Sequence, residues 1–273
     1  MTVQVTLDGV QVEAVAGSTI RDVAEAASVD IPTLCWARNL TPVNVCRLCV
    51  VEVDGSRPLV PACSRPVEDG MVIATDSERV RHSRRMVLEL LASSVDLEWA
   101  DDDLRARIAE FETEPDRFAG TSTKAAAPKR HDDLYVRDYQ RCVLCYKCVE
   151  ACGEDAQHTF AIAVSGRGFD AVISTEYDTV LPDSACVYCG NCIAVCPTGA
   201  LIPVSEFERR EAGTWDPTAQ TVTRTVCAFC GVGCNLDVHV QNGEVVKVTS
   251  PADHDITLGN LCIKGRFGWQ HLT

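Results

Sequence analysis

The stretch CVLCYKCVEAC, residues 142–152, and the stretch CVYCGNCIAVCP, residues 186–197, decide the fold of the middle of the chain. Both have the spacing C-x2-C-x2-C-x3-C, so they form an internal repeat. Three thiolates spaced in this way cover three irons of one 4Fe-4S cluster, and the fourth points to another cluster. Structural zinc is the alternative, but zinc sites usually take two separated pairs of ligands instead of a triplet.

The repeat resembles the bacterial ferredoxins that hold two 4Fe-4S clusters. In that family each cysteine triplet is completed by the fourth cysteine of the other copy, so the resemblance implies crossed ligation. It assigns one 4Fe-4S cluster to Cys142, Cys145, Cys148 and Cys196. It assigns the other 4Fe-4S cluster to Cys152, Cys186, Cys189 and Cys192.

Composition limits the class of protein. The chain has 273 residues and 16 cysteines, whereas disulfide-stabilised proteins are usually short secreted chains. Its first residues lack a basic run followed by an apolar core, and no apolar run is long enough to span a membrane. We therefore expect a cytoplasmic protein whose cysteines bind metal. The formal net charge of −14 argues against nucleic acid as a partner.

The N-terminal region predicts two strands, a helix and then a cysteine loop. Residues 2–16 alternate around Asp8-Gly9, which indicates a hairpin, and Ser18 or Thr19 can cap a helix that follows. This order resembles a β-grasp ferredoxin. The spacing C-x10-C-x2-C-x13-C resembles the N-terminal 2Fe-2S domain of the large iron–sulfur subunit of NADH dehydrogenase, FeFe-hydrogenases and NAD-linked formate dehydrogenases. That resemblance implies a 2Fe-2S cluster bound by Cys35, Cys46, Cys49 and Cys63, with a zinc site as the alternative.

The last cysteine set has the spacing C-x2-C-x3-C-x27-C and encloses an alternating hairpin around Asn242-Gly243. It resembles the N-terminal 4Fe-4S domain of the molybdenum or tungsten bis-pterin guanine dinucleotide oxidoreductases. The resemblance implies that Lys264, two residues after the final cysteine, aids electron transfer between the cluster and a pterin; a surface lysine is the alternative. The implied ligands of this third 4Fe-4S cluster are Cys227, Cys230, Cys234 and Cys262.

Residues 77–111 have a helical pattern but lack a feature of the related families. Those families carry another cluster here, bound by one histidine and three cysteines, whereas the corresponding residues are Val95, Trp99, Asp102 and Ile108. We infer that this cluster is absent. The run RVRHSRR, residues 79–85, is interpreted as a solvated helix face, with docking or screening of a cluster as the lesser alternative. The stretch GRGFDA, residues 166–171, is interpreted as strand–turn–strand and not as a phosphate-binding loop.

The sequence therefore predicts an α+β protein built from small iron–sulfur modules. The predicted divisions are a 2Fe-2S β-grasp domain (1–78), a helical segment (79–114), a linker (115–133), a two-cluster ferredoxin domain (134–213) and a small β-rich molybdopterin-oxidoreductase 4Fe-4S domain (214–273).

As a whole, the chain resembles the N-terminal electron-transfer part of the large subunit of a cytoplasmic NAD-dependent formate dehydrogenase. The resemblance implies a molybdenum or tungsten bis-pterin guanine dinucleotide site on another chain or a missing segment, with no catalytic residue in this chain. It also implies a partner that binds flavin (FMN) and NAD, and a thioredoxin-like 2Fe-2S subunit. The alternative is an electron-transfer subunit of a hydrogenase, NADH dehydrogenase or nitrate-reductase-like complex. We expect the end of the chain to face a cofactor-bearing domain, whether the protein is naturally split or truncated.

Overall fold

The computed structural model describes residues 1–118 and 127–272. These divide into two compact units, one formed by residues 1–36 and 42–118 and the other by residues 37–41 and 127–272. Residues 119–126, the middle of the predicted linker, lie outside the described residues. Among the helices of the described part, each is too short or too polar to cross a bilayer.

The first unit contains a five-stranded mixed sheet in the order β2-β1-β5-β3-β4. β1 pairs with β5 in parallel and with β2 in an antiparallel hairpin. Asp8 and Gly9 take φ values of 48° and 83°, so both residues of the turn are left-handed, as a two-residue hairpin requires. The predicted hairpin is confirmed. The strands are β1 (Thr2–Leu7), β2 (Val10–Val15), β3 (Val50–Val53), β4 (Val60–Pro61) and β5 (Val72–Ala74).

Helix α1 (Ile20–Ala26) packs against this sheet. Thr19 Oγ1 accepts a hydrogen bond from the Asp22 N–H at 3.2 Å, and Asp22 Oδ2 accepts one from the Thr19 N–H at 2.9 Å. This capping box identifies Thr19, not Ser18, as the N-cap of the helix, which begins at Ile20. Ile20 and Ala24 are completely buried and contribute to the apolar core of the unit.

The helical segment forms two helices, α2 (Glu78–Ser94) and α3 (Asp102–Glu110). The helical pattern predicted for residues 77–111 thus corresponds to two helices separated by a turn. Asp96 Oδ1 accepts a hydrogen bond from the Glu98 N–H at 2.8 Å, and Asp101 caps α3. Short carboxylates that bond nearby backbone N–H groups favour turns and helix starts over helix interiors, which explains the break.

The second unit contains three small antiparallel sheets, β6-β9, β7-β8 and β10-β11-β12. β7 and β8 flank GRGFDA, so the strand–turn–strand interpretation of this stretch is confirmed. The hairpin around Asn242 and Gly243 is also confirmed, with φ values of 54° and 84°. The strands are β6 (Tyr135–Arg137), β7 (Ala163–Ser165), β8 (Val172–Ser174), β9 (Leu201–Pro203), β10 (Gln220–Val226), β11 (Asn235–Gln241) and β12 (Glu244–Thr249). The helices are α4 (Lys147–Cys152), α5 (Asn191–Ala194), α6 (Val204–Glu211) and α7 (Ile263–Phe267).

A buried carboxylate joins α6 to β12. Glu206 accepts hydrogen bonds from Arg210 at 2.7 Å and from Lys247 at 2.8 Å, and only 4% of Glu206 is exposed. Burial acts to raise the pKa of Glu206, but the charges of Lys247 and Arg210 hold that pKa below its ordinary value. The helix that follows the ferredoxin repeat is therefore fastened to the last sheet by charge as well as by packing.

Glu206→Gln should lower the free energy of unfolding at pH 7 by about 3 kcal/mol, because it removes the charge that pairs with Arg210 and Lys247. The folded-state pKa of Glu206 lies below the ordinary 4.5, so this stabilisation is present above about pH 4.5 and is lost as the pH falls through the folded pKa. Urea unfolding followed by the fluorescence of Trp215, whose ring lies 5.3 Å from the Arg210 guanidinium carbon, measures both effects.

Glu244→Gln is the matched control. Glu244 accepts a hydrogen bond from Arg209 at 2.9 Å, but its side chain is 66% exposed. Its loss should cost less than about 1 kcal/mol. Equal destabilisation by the two variants would contradict the assigned role of Glu206.

Candidate metal centres

All sixteen cysteines lie in the described residues as free thiols, and the structure brings them together in four groups. Site A consists of Cys35, Cys46, Cys49 and Cys63. Site B consists of Cys142, Cys145, Cys148 and Cys196. Site C consists of Cys152, Cys186, Cys189 and Cys192. Site D consists of Cys227, Cys230, Cys234 and Cys262.

Site A lies beside the sheet of the first unit. A hydrogen bond with the Cys46 thiol lowers the pKa of Cys35 to about 5, and one with Cys63 lowers the pKa of Cys49 to about 7. Backbone N–H groups of residues 44–46 also bond Cys35 and act in the same direction. The same hydrogen bonds, together with burial, raise the pKa values of Cys46 and Cys63, so each pair favours one thiolate and one thiol. Thiolates are the metal-binding form of cysteine, so binding of iron would release the remaining protons.

A buried arginine supports site A from helix α2. Arg84 is 2% exposed and donates hydrogen bonds to the carbonyl oxygens of Leu48 and Val50, each at 3.1 Å. Burial lowers the pKa of Arg84 to about 10, while the charges of Asp76 and Cys49 act to raise it. The interpretation of residues 79–85 as a solvated face is therefore wrong for Arg84, which holds the backbone on either side of Cys49.

Sites B and C each surround an apolar cavity. The four thiols of site B line one cavity and the four thiols of site C line another. Both sites mix cysteines from the two copies of the repeat, because Cys152 lies with the second triplet and Cys196 with the first. Among the described residues, no three His, Cys, Asp or Glu side chains lie close enough together to coordinate a single metal ion. The thiols of sites B and C instead line their cavities.

The two copies of the repeat have the same backbone conformation around their triplets. Leu144 and Tyr188, which precede the second cysteine of each triplet, have φ values of 53° and 57°. Tyr146 and Gly190, which follow that cysteine, have φ values of 63° and 72°. Left-handed residues in such loops turn backbone N–H groups toward one concave side, where anions bind. The repeat therefore folds both loops into the same anion-binding shape.

Backbone N–H groups also donate to the thiols that complete sites B and C. The Ala161 N–H lies 3.3 Å from the sulfur of Cys152, and the Leu201 N–H lies 3.4 Å from the sulfur of Cys196. Such bonds stabilise negative charge on sulfur, and in iron–sulfur proteins they set the reduction potential. Burial opposes that charge and raises the pKa of Cys145 to about 12.

Arg137 also lines the cavity of site C. It is 2% exposed, and its two Nη atoms are buried without a hydrogen-bond partner among the described residues. A buried cation with unsatisfied N–H groups is costly unless an anion lies nearby. A negatively charged cluster in this cavity fits that need, as does the set of four thiols with apolar walls.

Site D lies at the end of the three-stranded sheet. Cys227 and Cys234 pack in the same apolar cluster as Leu236 and Leu261. Burial and the charges of Cys227, Cys230 and Cys262 raise the pKa of Cys234. Unlike the other sites it is open, because Cys230 and Cys262 are exposed. Lys264 lies on α7, which begins immediately after Cys262, and is also exposed. Four exposed apolar residues lie close in sequence to Cys230 and Cys262: Val226, Phe229, Val232 and Ile263.

Sequence reasoning missed the buried arginines. Arg84 shares a helix face with Val80 and Leu88, four residues before and after it, and this spacing was the available signal. Arg137, in contrast, lies in a three-residue strand without a pattern that indicates burial of its charge. Val95 and Trp99, which are predicted from the sequence to stand in place of cluster ligands, are buried.

Three family models match the chain in succession. Residues 1–78 match a 2Fe-2S iron-sulfur cluster binding domain. Residues 133–202 match the ferredoxin-like domain of NADH-quinone oxidoreductase subunit 3. Residues 220–273 match the Fe4S4 domain of molybdopterin oxidoreductases. These matches support an α+β iron–sulfur protein with both 2Fe-2S and 4Fe-4S domains.

Known proteins align with nearly the whole chain. The alpha subunit of the NADPH-Fe(3+) oxidoreductase of Geobacter sulfurreducens is 35% identical over 277 residues, which are 99% of this chain and 31% of the relative. The protein named "Putative formate dehydrogenase SH0748" of Staphylococcus haemolyticus is 26% identical over 308 residues, covering 98% of this chain and 31% of the relative. The chain thus spans about a third of the length of these relatives.

A solved structure supports the same grouping. The structure titled "Crystal structure of NAD+-reducing [NiFe]-hydrogenase in the H2-reduced state" matches with a TM-score of 0.58 and 25% identity, over 74% of this chain and 87% of that one. The relatives are subunits of oxidoreductases, several of them linked to NAD or NADP by name. The chain therefore matches the N-terminal iron–sulfur part of the NADH-quinone oxidoreductase large-subunit family, which includes formate dehydrogenase-like proteins and hydrogenase subunits.

Proposed function

We propose that the chain is the electron-transfer part of a formate dehydrogenase complex. It passes electrons between a molybdenum or tungsten bis-pterin guanine dinucleotide site, on another chain or segment, and a partner that binds FMN and reduces NAD. The observation that carries this proposal is the open site D within a stretch that matches the molybdopterin oxidoreductase Fe4S4 domain. A 2Fe-2S domain and a ferredoxin domain precede it in the same chain, as electron transfer to a second partner requires.

In this proposal site A holds one 2Fe-2S cluster and sites B, C and D hold three 4Fe-4S clusters. The domain boundaries follow those predicted from the sequence, with the helical segment 79–114 free of a cluster. When bound, such clusters take up and release one electron at a time with little rearrangement, which suits stepwise electron transfer. The chain itself supplies thiolates, backbone N–H donors to sulfur and buried cations, and it supplies no catalytic residue.

The open face of site D is assigned to the catalytic partner. Val226, Phe229, Val232 and Ile263 are 60%, 44%, 58% and 40% exposed, and each lies within a few residues of a site D cysteine in the sequence. Exposed apolar patches commonly mark binding surfaces for other proteins. Covering this face would exclude water from Cys230 and Cys262 and place Lys264 at the partner's cofactor, the role that the resemblance implies for this lysine.

The remaining partners are assigned by chemistry. The net charge of −14 favours other proteins over nucleic acid. A flavin- and NAD-binding iron–sulfur subunit and a thioredoxin-like 2Fe-2S subunit complete the proposed complex. We place the complex in the cytoplasm because sixteen free thiols persist best in a reducing compartment.

The second candidate is electron transfer in another NAD(P)-linked oxidoreductase. The NADPH-Fe(3+) oxidoreductase subunit is 35% identical to this chain, whereas the formate dehydrogenase-like relative is 26% identical. This difference favours a complex in which the cofactor is NADPH and the electron acceptor is ferric iron. The alternatives inferred from the sequence, a hydrogenase, an NADH dehydrogenase or a nitrate-reductase-like complex, belong to the same class of function.

One assay separates these candidates. The complex is purified from its native host through an affinity tag on this chain, and its metals and subunits are determined. Formate-dependent reduction of NAD+ together with bound molybdenum or tungsten supports the first candidate. NADPH-dependent reduction of ferric citrate without formate activity would replace it with the second.

Crossed ligation predicts which pairs of cysteine substitutions act on one cluster. Cys152→Ala with Cys189→Ala should remove a single cluster and leave about 10 of about 14 iron atoms, because both residues belong to site C. Cys152→Ala with Cys145→Ala should remove two clusters and leave about 6. Iron and sulfide analysis of the reconstituted chain measures both. The reverse pattern would show that each triplet binds with its own fourth cysteine.

If the open face of site D binds the catalytic partner, a charge placed on this face should weaken binding of that partner. Val232→Glu places a charge among the apolar side chains near site D and should reduce co-purification of the molybdenum- or tungsten-bearing partner by about tenfold. Val10→Glu is the matched control, because Val10 is 64% exposed on the first hairpin. Quantitative mass spectrometry of tagged complexes measures the ratio. Unchanged recovery of the partner with Val232→Glu would contradict the assignment of this face.

A further inference from the structure

Arg266 joins site D to site C. It lies on α7, four residues after Cys262, and is only 3% exposed. Its Nε donates a hydrogen bond to the carbonyl oxygen of Cys189 at 3.0 Å, and its Nη2 donates one to Asn191 Oδ1 at 3.3 Å. The side chain therefore extends from the helix that follows one cysteine site into the loop that carries another.

The loop of site C is shaped to receive this side chain. Gly190 has a φ of 72°, and a Cβ at this position would lie 2.1 Å from Arg266 Cδ and 2.7 Å from its Nε. Only glycine allows both the backbone conformation and the close approach. The Asn191 side-chain oxygen also accepts a hydrogen bond from the Leu261 N–H at 2.9 Å, so it holds the chain just before Cys262 as well.

Aromatic packing fixes the other side of α7. The Phe267 ring lies 5.5 Å from the ring of Tyr135, which lies at the same distance from the ring of Tyr188 in the loop of site C. The Trp269 indole donates a hydrogen bond to the Arg266 carbonyl oxygen at 3.1 Å. The guanidinium is thus held in one position, and an ordered charge acts on its surroundings more strongly than a mobile one.

The charge on Arg266 lies against the loop that carries Cys189 and has no carboxylate partner among the described residues. Its neighbours that could carry negative charge include the thiols of Cys189 and Cys192. Burial lowers the pKa of Arg266, but arginine starts so high that it stays protonated at neutral pH. A buried cation needs an anion for stability. A negatively charged cluster bound by the thiols of site C would supply that anion.

We propose that Arg266 is a positioning residue that holds the Cys262 helix against the loop of site C and raises the reduction potential of the cluster at site C. This inference rests on the proposed function, because it requires clusters at sites C and D. A reduced cluster carries one more negative charge than an oxidised one. A fixed positive charge beside the Cys189 loop therefore stabilises the reduced state preferentially.

The test is a redox titration of the full chain reconstituted with iron and sulfide, followed by electron paramagnetic resonance. Cys186→Ser changes a ligand of site C and so identifies which signal comes from that cluster. Arg266→Gln should shift the midpoint potential of this signal to a more negative value and leave the other signals in place. Arg266→Lys keeps the charge and should retain most of the wild-type potential.

Arg209→Gln is the control for general loss of one positive charge, because Arg209 is partly exposed on α6 and pairs with Glu244. It should leave the potential of site C unchanged. If the Arg266→Gln protein does not bind a cluster at site C, Asn191→Leu is measured in its place. Asn191→Leu removes one hydrogen bond that positions the guanidinium but keeps its charge. Asn191→Leu should give a smaller shift in the same direction.

Two outcomes would contradict the role of Arg266, and a third would contradict the proposed function on which it rests. An unchanged potential with Arg266→Gln, or with Asn191→Leu where that variant is used, leaves Arg266 a merely structural residue. A shift of equal size with Arg209→Gln or at every cluster signal also excludes a local effect. Wild-type protein that binds no clusters would instead contradict the proposed function, and iron analysis before titration distinguishes this case.

Discussion

Grouping four thiols in a small space is the constraint on which the rest of the structure depends. Thiolates repel one another, and burial disfavours their charge, as the raised pKa values of Cys148 and Cys192 illustrate. The second unit nevertheless builds much of its core from cysteines, with short helices and strands of three residues around sites B and C. Such elements bury too little apolar surface to be stable alone, so metal binding and folding are expected to be coupled there. The first unit differs, because its core rests mainly on a sheet and a capped helix.

The chain stabilises grouped sulfur with two kinds of positive group. Left-handed residues such as Leu144 and Tyr188 turn backbone N–H groups toward each loop, and arginines supply full charges. Arg84, Arg137 and Arg266 are each at most 3% exposed in a protein whose net charge is −14. Arg84 supports site A, whereas Arg137 and Arg266 both lie at site C, and the three come from a long helix, a short strand and α7. These buried arginines lie beside cysteine sites, where a bound cluster would carry negative charge.

Much of the fold could be predicted from local patterns, because those patterns are strong. Asp8-Gly9 and Asn242-Gly243 fix two hairpins through backbone conformations that few other residues adopt. Cysteine spacing similarly identified the residues that now lie together in four groups. The break between α2 and α3 was missed because the helical period of its apolar residues continues across Asp96 and Asp101, whose side chains bond the backbone. The position of Arg266 beside site C could not have been predicted from the sequence. It depends on contacts with Gly190 and Asn191, which are more than 70 residues away in the chain.

The central claim is that these sixteen thiols hold one two-iron and three four-iron clusters. Mössbauer spectroscopy of the chain reconstituted with iron-57 tests it most directly, because it separates the two cluster types and counts the iron in each. The account predicts a ratio of four-iron-cluster iron to two-iron-cluster iron of about 6 to 1, with about 14 iron atoms per chain. Iron found chiefly as single tetrahedral thiolate sites, or zinc bound in its place with higher affinity at all four sites, would contradict it.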